Sequence, residues 1–121
     1  MRKLAVLFIL TFAFTNLSVA LDIKTTIIGE WKVTKIQRKG KKLNSSDPMA
    51  QFKNTIVVFY KNNKLLLKAG KSELPGKWSV KNKKLRFLGS KYGLDVHFHS
   101  RNRMIVHYVK DDVKIYLKRL K

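Results

Sequence analysis

Three histidines, His97, His99 and His107, fall close together late in the chain. Imidazole is a common neutral metal ligand, and three at short range could hold Zn²⁺ or Cu²⁺ with one position open. A three-residue turn at Arg101 to Arg103 would set His97 opposite His107 on one outer face, with His99 one step away. Asp95 shares that face but flanks only His97, so the pattern supplies no carboxylate to orient the other rings. The expectation is therefore solvent-facing strand residues, with no metal and no cofactor.

Nucleophilic chemistry finds no better support. The chain contains no cysteine. Ser45, Ser46, Ser72, Ser79 and Ser100 lie outside any strand-to-helix elbow, and Ser18 falls in a leader. The seven acids sit mostly in turns, Asp111-Asp112 among them, and no pair is set to face another across a cleft. No enzyme is expected.

What stands out instead is a set of apolar and aromatic side chains at alternate positions. The elements that place them form a meander. The leading strand, Ile28 to about Arg38, carries Gly29, Trp31 and Val33 on one face. Glycine there lets the backbone pack tightly, and Trp31 fills one end of the core. Leu21 to Ile27 is a short lead-in that closes the floor. Asn44 to Lys53 holds the helical signal: Ser46 or Asp47 as cap, Pro48 as a first helical residue, then Met49, Ala50 and Phe52. It predicts one helical turn across the barrel mouth.

From Asn54 the rhythm is strand, tight turn, strand. Thr55–Lys61 and Lys64–Ala69 flank Asn62-Asn63, where Ile56, Val58 and Tyr60 against Leu65 and Leu67 are the expected inner set. Gly76–Lys81 and Lys84–Leu88 flank Asn82-Lys83, pairing Trp78 with Phe87 and Val80 with Leu85. Leu94–Ser100 and Met104–Val109 follow, and Val113–Leu120 closes the series. Val96 is expected opposite Tyr108, Phe98 opposite Val106, and Tyr108 opposite Ile115; Leu94 shares their face. Period-two alternation that agrees across several hairpins points to an all-β, eight-stranded antiparallel up-and-down barrel.

Ahead of this domain, Arg2 and Lys3 precede an apolar run from Leu4 to Phe14, and Ser18-Val19-Ala20 supplies small residues before a cut after Ala20. This is the pattern of a secretory signal peptide, and the run is short of the ~20 residues a membrane span needs. Residues 1–20 are thus read as leader and 21–121 as the domain, exported to a periplasm or beyond, without a lipid anchor or a membrane span. Cleavage removes two of the 27 basic residues and none of the seven acids, so the net charge of +20 becomes +18.

Gly29-Glu30-Trp31, the second glycine-x-tryptophan at Gly76-Lys77-Trp78, the Val57-Val58-Phe59 strand before Asn62-Asn63, and the late basic Tyr116-Leu117-Lys118-Arg119 together resemble the lipocalin or calycin group. The likeness is to short, exported lipocalin-like domains of bacteria. It implies a basic residue, here Arg119, packed over Trp31 to close the barrel by a cation–π contact. It also implies a small apolar or amphipathic ligand held by Trp31, Val33, Ile56, Val58, Tyr60 and Leu67, with Trp78, Phe87, Leu94, Val96, Phe98, Val106, Tyr108 and Ile115 completing the ring. The site would open beneath Ser46–Phe52. A filled core with no cavity is the competing expectation for so short a chain.

The basic exterior carries a second functional reading, a solid barrel docking on an anionic envelope component or a protein partner. Lys81 and Lys84 face one another with Arg86 one step along, and like charges across a strand pair repel. Lysine dominates over arginine and no outward aromatics interleave, so specific nucleic-acid binding is not expected.

Overall fold

The computed structural model describes residues 21–87 and 93–121. The leader, residues 1–20, and the strand end expected at Leu88 lie outside the described residues. The elements are α1 (Ile23–Thr26), β1 (Gly29–Arg38), β2 (Lys41–Lys42), a 3₁₀ helix (Pro48–Phe52), β3 (Ile56–Phe59), β4 (Lys64–Ala69), β5 (Ser72–Lys81), β6 (Lys84–Phe87), β7 (Leu94–Ser100), β8 (Arg103–Tyr108) and β9 (Val113–Arg119). Apart from the two-residue β2, which folds back on β1, the strands run antiparallel in chain order from β1 to β9, and β9 pairs with β1. The result is a closed eight-stranded barrel. Closure satisfies both edges of the sheet at once.

Alternation puts Trp31, Val33, Val57, Phe59, Leu65, Trp78, Leu85, Met104, Val106 and Leu117 in the buried interior. One irregularity breaks the alternation of the leading strand. A bulge between Val33 and Lys35 against β9 leaves Thr34 as the extra residue, so the next inward side chain is Ile36. Such a bulge bends its strand and interrupts pairing.

Turn chemistry decides where the observed registers match expectation. Asn82 and Lys83 both take positive φ, 53° and 62°, the geometry of a two-residue hairpin turn. Trp78 accordingly pairs with Phe87 and Val80 with Leu85, as the sequence predicts.

The Asn62-Asn63 hairpin overturns its expectation. Asn63 has φ 65°, while Asn62 turns its side chain to accept from the Lys64 amide at 3.2 Å. The loop becomes three residues, Lys61 to Asn63, with the Tyr60 amide bonded to the Lys64 carbonyl at 3.0 Å. Phe59 then faces Leu65 and Val57 faces Leu67. A slip of one residue exchanges the two faces of a strand. Ile56, Val58 and Tyr60 therefore leave the inward face; Tyr60 is 44 % exposed, while Val58 is covered to 7 % exposure. Phe59, with no hydroxyl to satisfy, takes the interior.

The last two hairpins slip by two, which preserves the face. Arg101 and Asn102 make the β7–β8 turn, with a bulge at His99, and Val96 faces Val106 and Phe98 faces Met104 rather than Tyr108 and Val106. A longer connection, Val109 to Asp112, sets Tyr108 opposite Val113 and Val106 opposite Ile115. It is held by the Asp112 amide on the Val109 carbonyl at 3.1 Å and the Lys39 amide on the Asp112 carbonyl at 2.8 Å.

Candidate ligand-binding site

The barrel has two unlike ends. At one, the turns after β3, β5 and β7 gather beside α1, and the interior is filled. Trp31 is wholly buried, its indole donates to the Ile27 carbonyl at 2.8 Å, and its ring lies 6.3 Å from that of Phe98. Phe59 meets Trp78 edge-on at 5.7 Å and Phe87 at 6.0 Å. The Trp78 indole is spent on the Tyr60 carbonyl at 3.0 Å.

Arg119 caps this end. Its guanidinium carbon sits 4.3 Å from the centre of the Trp31 ring, Nε donates to the Arg101 carbonyl at 2.9 Å, and Nη1 donates to Ile28 at 2.8 Å. Nη2 donates to the Thr26 carbonyl. Burial, then the nearby Arg101 charge, holds the group below its usual basicity. Gly29, at φ +136°, lies so close that a Cβ there would stand 2.6 Å from Arg119 Nη1 and 2.6 Å from the Lys121 carbonyl oxygen. A side chain at residue 29 and the arginine rivet exclude one another.

The other end is looser. Leu67, Leu94, Val96, Tyr108 and Ile115 face inward yet are only partly buried against the core. Leu74, opposite Leu67, is 57 % exposed. Of the side chains expected to touch a ligand, Trp31, Val33, Trp78 and Val106 are thus consumed by packing, and Ile56, Val58 and Tyr60 lie off the inward face.

Beside this looser end is a cleft that the alternation pattern did not reveal. β1 pairs with β3 only from Gly29 to Lys32 and with β2 only at Gln37 and Arg38. Between them the chain from Leu43 to Thr55 departs from the wall and returns. The space so formed, about 820 Å³, is lined by Thr34, Ile36, Leu43, Ser45 and Ala50, with Lys35, Lys42 and Lys53 and the amide of Gln37 around them.

The overlying segment is pinned. Asp47 caps the 3₁₀ helix by accepting from the Met49 amide at 2.9 Å and receives Arg38 Nε at 2.9 Å. The Arg38 bond, then the Met49 amide, holds the Asp47 carboxyl below its ordinary range.

The histidines do not converge. His97 faces Ile105 and not His107. His107 lies between Asp95 and Lys114 and meets Asp112 Oδ1 at 2.8 Å, a carboxylate the expected register kept away from it. Among the described residues no three His, Cys, Asp or Glu side chains are grouped to hold a metal ion.

With this geometry, the barrel can be set beside known proteins. No family model matches the chain, and no curated protein does. Among solved structures it is similar to a DUF4847 family protein from Bacteroides vulgatus, with a TM-score of 0.58 and 11 % identity over 79 % of this chain and 95 % of that one. At such identity the likeness speaks for the fold alone.

Proposed function

We propose that this protein is an exported, lipocalin-like binding protein that holds a small apolar or amphipathic molecule in the cleft beneath Pro48–Phe52. The observation that carries the reading is the cleft itself. Its volume of about 820 Å³ lies within the range of small-molecule pockets, its floor is apolar at Ile36, Leu43 and Ala50, and a few polar groups ring it.

A neutral fluorophore, N-phenyl-1-naphthylamine, tests this directly. The wild-type protein should enhance its emission saturably, and Ala50→Trp, which fills the cleft, should weaken binding by roughly tenfold or more without lowering the melting temperature. Absence of saturable enhancement by the wild type refutes the proposal. The exported location rests on the leader pattern and is tested by fractionating the native host.

A further inference from the structure

We propose that the end of the barrel sealed by Arg119 docks on the surface of an anionic lipid bilayer. The observation is a repeated conflict in strand pairing. Lys64 faces Lys77, Lys81 faces Lys84, and Lys118 lies between Lys32 and Arg103 on its two neighbouring strands. All these residues alternate with buried ones, so all point outward, and all sit beside the turns at that end. Directly opposed side chains are about 5 Å apart, and like charges at that distance destabilise the pair.

The few acids relieve one member of these pairs, Lys84, and leave the others. Among the described residues Asp95 neutralises Lys84, Glu30 engages Lys68 and Lys121, Asp47 binds Arg38, and Asp112 meets His107. None forms an ion pair with Lys32, Lys64, Lys77, Lys81, Arg103 or Lys118. At the opposite end the pairing is mixed: Lys68 faces Glu73, and Arg38, which faces Lys41, is held by Asp47. Cations without an acid partner occur at both ends, but among the described residues the directly opposed ones in which neither side has such a partner, Lys64 with Lys77 and Lys118 with Lys32 and Arg103, lie at this end.

A bilayer fits this arrangement better than a nucleic acid or a polysaccharide chain. The cations encircle an end of a cylinder rather than lining a groove that a strand could follow. Five of the six are lysines, which act as point charges toward lipid phosphate and lack the bidentate fork favoured for base and backbone recognition. Tyr60 and Leu120, 44 % and 46 % exposed, stand at the same end, where interfacial side chains would enter the headgroup layer. The cleft at the other end stays open to solvent in this orientation, so the inference does not depend on ligand binding there.

Co-sedimentation with vesicles of phosphatidylcholine, with and without about 30 % phosphatidylglycerol, tests it, since each basic residue near such a surface adds to attraction. Binding should require the anionic lipid and fade with added salt. The variant K32Q/K64Q/K77Q/R103Q/K118Q should lose about 30-fold or more. K39Q/K41Q/K42Q/K53Q/K71Q, with the same charge removed from the other end, should stay within about threefold of wild type. Equal losses in the two variants, equal binding to neutral vesicles, or retention on heparin or single-stranded DNA with none on vesicles would each overturn the proposal. Native tryptophan emission from both variants confirms that the barrel is intact.

Discussion

Gly29, Trp31 and Arg119 work as one unit. A glycine two residues before a tryptophan on a strand shares its face, which was readable in the sequence, whereas Arg119 over the indole was implied by the resemblance to lipocalin-like domains. The carbonyl bonds from Thr26, Ile28 and Arg101 were not readable, because they depend on how the lead-in and the β7–β8 turn come together. Gly29→Ala places a methyl where Arg119 lies and forces a rarely occupied φ. It should cost at least ~2 kcal/mol in urea unfolding. Asp47 gives a pH signature. Its carboxyl is depressed by Arg38 and the Met49 amide, so it stabilises the fold above the ordinary aspartate range and that contribution disappears as acid protonates it. Asp47→Asn should melt below wild type at neutral pH, and the gap should close only as pH falls beneath the ordinary aspartate range.

At the scale of strands and turns, the sequence specified which segments pair but only partly how. Asn82-Lys83 set the expected register because both residues accept positive φ. Asn62-Asn63 looked equivalent, yet Asn62 folds its side chain onto the Lys64 amide and leaves Asn63 alone in the left-handed region. That one-residue difference decides whether Phe59 or Tyr60 enters the core. The cleft escaped the sequence pattern for a related reason. It arises where the Thr34 bulge and the departure of residues 43–55 interrupt a ladder, and period-two alternation carries no mark of either. The opposed lysines permit a direct test. Lys77→Glu exchanges a repulsive neighbour of Lys64 for an attractive one and should raise stability by about 0.5–1 kcal/mol, read as a higher denaturation midpoint in low salt.

Over the whole molecule, the barrel is asymmetric: a densely packed base under Arg119 and a looser end that carries the cleft. The rivet at the base also governs how such a molecule comes into being. Thr26 and Arg119 are 93 residues apart in sequence, whereas Trp78 and Phe87 meet across one hairpin. Local ribbons can zip early, but the ring has no inside until its two remotest staves have found each other. Chains dominated by such distant meetings refold in about milliseconds to seconds, not microseconds, and stopped-flow tryptophan emission should place this one there. Until that moment the Trp31 indole has no guanidinium above it, and the nascent polypeptide remains a pliant thread.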